Sequence, residues 1–266
     1  MADGMLHSRY MAYRLCIRDI RAKYTRSMFG AIWDFLDPLV LGSIFYLLMR
    51  ARVINAGEMP MPYPVFVIYG LLLYQTFCES LTLSVNLMQS SKGLLMHVKM
   101  PPEALILSVL FRVLFNSFFR IAVMLFFSLM LRYQAADQGV SSFSLVGFVE
   151  FVVLYPLIVL AGMSIGIFLA PFNAIYSDVG RIVAIVLFPL RYASPVLYQL
   201  PDTRFFSTLD FVNPMSLILT NLRLLATNND IEAPGELAIR CAICLAIFLV
   251  GWLIFHLSVR VLAERA

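Results

Sequence analysis

Charge is scarce in this chain. Only 14% of its 266 residues are Asp, Glu, Lys or Arg, while 61% are hydrophobic. A soluble domain carries about 25% charged and about 45–50% apolar residues, so the composition excludes an ordinary water-soluble domain. Histidine is rarer still, with 3 residues, His7, His97 and His256. Their spacing assembles no acid/base cluster and no metal site. A membrane enzyme, such as an acyl- or glycosyl-transferase, would need convergent polar groups at a reacting centre, and none is visible. The 4 cysteines, Cys16, Cys78, Cys241 and Cys244, sit in helical or apolar contexts. They read as small packing residues rather than a disulfide framework, the C-x-x-C of Cys241 and Cys244 included.

A phosphate-cradling loop is also missing. A Walker A loop needs G-x-x-x-x-G-K-[ST], and the nearest approach, Gly93 to Lys99, has Val98 where the second glycine should stand. No cofactor is expected on this chain, and any ATP chemistry must come from another subunit. No secretory signal is read in the charge-interrupted N-terminal residues. The paired broken-helix repeats of an ion-coupled transporter are not found. The net charge of +4 is no nucleic-acid signal, because the cations cluster at the ends of apolar runs.

Long apolar runs are what the chain does have. Spans of about 20 residues allow six, over residues 35–49, 63–87, 103–131, 145–169, 180–197 and 237–258. The expected fold is an all-α integral membrane protein. Residues 1–29 form an interfacial helix and residues 30–266 the six-span domain. On the first helix Arg14, Arg18 and Arg21 make one stripe and Tyr13, Ile17, Ile20 and Tyr24 the adjacent one, a pattern that suits the headgroup boundary. Arg9, Arg14, Arg18, Arg21, Lys23, Arg26, Lys92, Lys99, Arg181, Arg260 and Arg265 all fall on one side of the membrane under this threading. Cations mark the cytoplasmic side, so both termini are expected there, with Arg50 and Arg52 as exceptions. Pro189 and Pro195 are expected to break the helical ladder near the outer face, at the end of the fifth span.

The third span carries Arg112, Asn116 and Arg120 at i, i+4 and i+8. Polar groups at bilayer depth face protein or water. The stripe reads either as a basic lining for an anionic glycolipid headgroup or as structural pairing within the bundle. Depth counting puts Arg112 level with Glu79 of the second span, and the two are expected to lie close together.

Several of these stretches resemble the membrane subunit of polysaccharide ABC exporters. In that family a basic amphipathic helix leads into G-x-x-W-x-x-x-(E/D/Q)-P, here Gly30, Trp33, Asp37 and Pro38. The acidic residue before the proline is more similar to capsule exporters than to O-antigen or teichoic acid exporters. Pro101 and Pro102 resemble the end of the family's coupling segment, here residues 90–103. Asp178 and Val179 resemble its Arg-Asp-Val turn, with Ser177 in place of the Arg. Ser194 to Tyr198 resembles its S/T-P-V-x-Y element, and Asn213, Pro214 and Arg223 its N-P…R element.

The resemblance implies a cytoplasmic coupling helix, and short outer gate helices between spans five and six within residues 199–236. It implies a bacterial inner-membrane homodimer with two ATPase subunits that hold ATP and Mg. It further implies a lipid-linked acidic capsular polysaccharide as substrate, and periplasmic and outer-membrane export proteins as partners. Arg18, Arg21, Lys92, Leu94, Leu95, His97 and Lys99 are the expected ATPase-coupling residues. Trp33, Asp37, Arg112, Asn116 and Arg120 are the expected channel residues. Pro195, Tyr198, Asn213, Pro214 and Arg223 are the expected outer gate. The same machine carrying O-antigen or a teichoic acid is the alternative.

Overall fold

The computed structural model describes residues 2–24, 33–51, 62–93, 101–138, 145–198, 213–226 and 231–264. Among these, every regular element is a helix: α1 (Ala2–Tyr24), α2 (Trp33–Arg50), α3 (Tyr63–Val85), α4 (Leu87–Ser90), α5 (Pro102–Gln138), α6 (Leu145–Leu154), α7 (Pro156–Ile175), α8 (Asp178–Ala193), α9 (Pro214–Ala226) and α10 (Pro234–Glu264). The stretches Tyr63–Val85, Pro102–Met130, Leu145–Ile175 and Pro234–Val259 are long and apolar enough to cross a membrane. They match the expected second, third, fourth and sixth spans. The expected first and fifth spans fall on the shorter helices α2 and α8.

α3 is the axis of the bundle. It is apolar around its circumference, and residues on all sides of it are buried, the pattern of a helix enclosed by others. α2, α5, α7, α8 and α9 all pack on it, while α10 packs on the far side of α7 and α1 lies along α5. Glycines set the closest approaches. A Cβ on Gly162 would lie 2.7 Å from Phe77 O, and one on Gly166 would lie 2.7 Å from Leu81 O. Gly162 and Gly166 form a G-x-x-x-G on α7, which lets its backbone lie against α3. On α10, a Cβ on Gly251 would come within 2.8 Å of Phe168 N.

The apolar run of residues 145–175 is interrupted at Tyr155. Pro156 follows, opens α7 at its first position, and supplies no N–H to the ladder. Pro189 removes one donor from the ladder without ending the helix. It lies inside α8, which runs on to Ala193, and the Tyr74 hydroxyl donates to Leu187 O nearby. The break comes at Ser194 and Pro195, where the chain turns.

α1 has a third face beside the basic and apolar stripes. Ala12, Leu15 and Cys16 are buried, and this face packs on α5. Tyr13 of the apolar stripe stays exposed, as a side chain meeting lipid would be. Burial pushes the Cys16 thiol above its ordinary pKa, while the charge of nearby Arg112 acts in the opposite direction.

Candidate functional site: polar ties and a basic cavity along the central helix

Among the described residues, polar side chains fasten other helices to α3 at mid-length and at its two ends. At mid-length the Glu79 carboxylate accepts from Arg120 Nη2 at 2.5 Å on one oxygen and from Asn116 Nδ2 at 2.5 Å on the other. Arg120 Nη1 donates to Thr76 Oγ1 at 3.1 Å. The Thr76 hydroxyl donates to Leu72 O at 3.0 Å, so Tyr155, 2.6 Å away, donates its own hydroxyl to Thr76. Tyr155 is the junction residue between α6 and α7, so one network joins α3, α5 and that break. The Arg120 side chain is 3% exposed and Glu79 13%. A lone cation at bilayer depth costs about 2.5–3.5 kcal/mol on insertion scales, a cost the carboxylate offsets.

Arg112 is therefore not the partner of Glu79, contrary to expectation. Tyr69 bonds to Met124, Thr76 to Arg120 and Glu79 to Asn116, an antiparallel register. It carries Arg112 past Glu79 to the level of Leu83, with which it lines a cavity. Depth counting from residue 87 misplaced it because the arm continues through α4 to Ser90.

At the N-terminal end of α3 the residues Asn213, Pro214, Arg223, Pro195 and Tyr198 come together. Asn213 Oδ1 accepts from the Met215 N–H at 3.1 Å, and Pro214 takes the first helical position of α9, as their spacing predicts. Asn213 Nδ2 donates to Ser194 Oγ at 2.6 Å. Arg223 Nη1 donates to Pro195 O, and Nη2 donates to Val196 O at 2.6 Å. Its guanidinium lies 3.7 Å from the Phe66 ring centroid, a cation–π contact. The turn after α8 thus presents carbonyls with no further helix to accept into, and Arg223 supplies the donors. The Tyr198 hydroxyl closes the turn by donating to Tyr192 O. Arg240, which the sequence did not single out, donates to Asn213 O at 3.3 Å and brings in α10.

At the other end Asn173 of α7 donates through Nδ2 to Val85 O at 3.1 Å, Asn86 Oδ1 at 3.0 Å and Gln89 Oε1 at 3.2 Å. Its Oδ1 accepts from the Gly180 N–H at 2.8 Å. This knot holds the turn containing Ser177, Asp178 and Val179 against the α3–α4 junction. Arg181 sits beside it, 3.5 Å from Asp178 and exposed. Replacing Asn173 with Leu removes both functions, and stability should fall by about 1–3 kcal/mol, the range for stranded buried polar groups. Asn173→Asp keeps an acceptor for Gly180, so hydrogen exchange at the Gly180 amide should rise in the Leu variant and much less in the Asp variant. Equal exchange in the two would show that Asn173 does not hold the turn.

Beside this end lies a cavity of about 560 Å³ between α1, the α3–α4 arm and α5. Arg18, Asp19, Asn86, Ser91, Ser108 and Arg112 contribute its polar wall. Arg18 pairs with Asp19 at 2.8 Å. The Nε of Arg112 is buried without a hydrogen-bond partner. Arg18, grouped by sequence with the coupling residues, and Arg112, grouped with the channel, thus share one cavity.

The remaining expected site residues are more dispersed. Arg21 is exposed on α1 and Lys92 is exposed just beyond α4. Trp33 and Asp37 lie on α2, with side chains outside the described residues. Leu94, Leu95, His97 and Lys99 also lie outside them, as do residues 199–212 of the outer segment. Thr76, Tyr155, Asn173 and Arg240 were missed. The signal for Tyr155 was the Tyr-Pro pair inside an apolar run; single polar residues in long apolar helices marked the others.

Apolar helices of membrane-spanning length, with buried polar side chains tying one helix to another, define an integral membrane protein. The chain belongs to the ABC-2 type transporter family, whose family model matches residues 12–225. It is 28% identical over 215 residues to the O-antigen export system permease protein RfbA of Myxococcus xanthus, covering 77% of this chain and 75% of that protein. It is 23% identical over 190 residues to the polysialic acid transport protein KpsM of Escherichia coli, covering 70% and 69%. An O-antigen export system permease protein RfbA of Klebsiella pneumoniae is 24% identical over 222 residues, covering 81% and 79%.

Proposed function

We propose that this chain is the membrane-spanning permease subunit of an ATP-driven exporter that moves a lipid-linked polysaccharide across the bacterial inner membrane. The observation that carries the reading is the likeness, over most of the chain, to proteins named for O-antigen export and for polysialic acid transport. The acidic Asp37 before Pro38 favours a capsular glycan, with O-antigen or a teichoic acid as the alternative. ATP and Mg reside on two partner ATPase subunits, and this chain is no enzyme. α2 and α8 complete six spans, the α4 end and both termini face the cytoplasm, and the α9 end faces outward.

Two copies enclose the path. Ile182, Ile185, Val186 and Phe188 form an exposed apolar face on α8, and Val40, Ile44 and Leu47 do so on α2. These faces suit lipid or a second copy. Trp33 and Asp37 on α2 are proposed path residues. Arg120 and Asn116 are engaged with Glu79, which favours a structural role for that part of the stripe. Periplasmic and outer-membrane proteins carry the glycan onward. Arg18, Arg21, Lys92, Leu94, Leu95, His97 and Lys99 meet the ATPase, and the α9 cluster closes the outer end.

The test is glycan location in a strain lacking the gene. Polymer trapped inside, and returned to the surface on complementation, is the expected result and supplies the substrate for identification. Polymer never made would point to a transferase instead. Leu94→Asp combined with Leu95→Asp should abolish ATPase co-purification; intact co-purification would show the coupling contact to lie elsewhere.

A further inference from the structure

The cavity between α1, the α3–α4 arm and α5 has an unbalanced charge. Its lining holds two guanidinium groups, Arg18 and Arg112, against one carboxylate, Asp19. That carboxylate is engaged with Arg18 at 2.8 Å. Among the described residues no carboxylate pairs with Arg112, and its buried Nε makes no hydrogen bond. The Arg112 guanidinium therefore brings to the cavity wall a positive charge that no carboxylate offsets, and an anion in the cavity would offset it. The group that fits a guanidinium fork is a planar or tetrahedral oxyanion, a carboxylate or a phosphate, bound through two parallel hydrogen bonds.

The rest of the lining narrows the choice. Asn86, Ser91 and Ser108 add short polar side chains around the cations, neutral groups that hydrogen-bond phosphate oxygens without competing for charge. Leu15, Leu83, Leu105 and Val109 supply an apolar wall, which a free inorganic ion would leave uncovered. The volume of about 560 Å³ falls within the roughly 300–1,000 Å³ of small-molecule sites. The cavity also lies where α3 ends and α5 begins, the level of lipid headgroups for helices of membrane-spanning length. A phosphate with an apolar arm matches all of these features.

We infer that this cavity binds the phosphodiester of an anionic membrane lipid, with Arg112 as its principal ligand and Arg18 at its rim. The lipid bridges α1 to the α3–α4 arm, so a change in headgroup binding shifts how α1 sits against the bundle. This does not depend on the identity of the exported glycan.

Native mass spectrometry of the full-length chain in neutral detergent tests it, with phosphatidylglycerol and inorganic phosphate as separate probes. Arg112→Gln should weaken phosphatidylglycerol binding about tenfold or more, the loss of a charge-assisted hydrogen-bonded contact, and inorganic phosphate should not displace the lipid. Equal binding by the wild type and Arg112→Gln overturns the proposal. Binding of inorganic phosphate that depends on Arg112, with no such dependence for the lipid, overturns the lipid assignment and makes this a soluble-anion site. Ser108→Leu fills the cavity and leaves Arg112 in place. It provides the same test should Arg112→Gln fail to fold, with retained binding again counting against the proposal.

Discussion

Replacing Glu79 with Leu is expected to destabilise the protein by about 3–5 kcal/mol, the cost of leaving a buried cation without its partner. Arg120 is 3% exposed, so its charge cannot turn to water. Asn116 and Thr76 are no substitute, because neither brings negative charge. The second substitution makes the test specific. Combining Glu79→Leu with Arg120→Leu should recover most of the loss, since well-packed apolar pairs replace buried ion pairs at little cost. Denaturation midpoints in detergent measure both. A double variant as unstable as the single one would show that the two residues do not act as a pair.

The same variant separates the two readings of the third-span stripe. If Arg120 serves only to hold α5 on α3, a stable double variant should still export glycan. If Arg120 faces the substrate, the double variant should fold normally and export poorly. Stability and export are measured independently, so neither result can stand in for the other.

The second large effect is expected at Gly70. A Cβ there would overlap both the Val196 carbonyl and the Arg223 guanidinium. One of these is backbone and the other is held by two hydrogen bonds and a ring contact. Overpacking costs about 1–3 kcal/mol where neighbours can shift. Here they cannot shift without losing the Arg223 bonds, each worth about 1–3 kcal/mol when a buried group is stranded. Gly70→Val should therefore cost about 4 kcal/mol or more and release the turn at Ser194 to Tyr198. Arg223→Met removes the donors without the clash and should cost about half as much. Arg223→Lys should not restore stability, because a single ammonium does not reproduce the planar fork across two carbonyls. Hydrogen exchange is the measurement. It should rise at residues 194–198 and within α9, while the Glu79 network stays protected. Uniform loss of protection, or none, would show that Arg223 is not a local latch.

Some features of the protein are legible in its sequence alone. Apolar runs of 18 or more residues stand out in any window, so the four long helices fall where hydropathy puts them. The α9 cap was legible too, because Asn213 and Pro214 are a local signal read within one turn. Arg223 was legible only as a family element. Its partners are carbonyls at Pro195 and Val196, 28 and 27 residues away, and carbonyls leave no side-chain trace. Arg112 was misplaced for a related reason. Its depth was counted within its own helix, whereas its neighbours depend on how far the opposing arm extends through α4. Gly162, Gly166 and Gly251 passed unnoticed because a glycine in an apolar helix is silent until another backbone comes against it.

By itself the sequence determined the class of protein, its α-helical character and the positions of its long helices. These follow from composition and from apolar runs, which are properties of each segment alone. Only the tertiary structure decided that Glu79 pairs with Arg120 and not with Arg112, that Asn173 ties the α7–α8 turn to the α3–α4 junction, and that Arg18 and Arg112 share a cavity. Each of these depends on the register of one helix against another. Register is set by where helices break and by which backbones glycine allows to approach, and neither is encoded within a single helix.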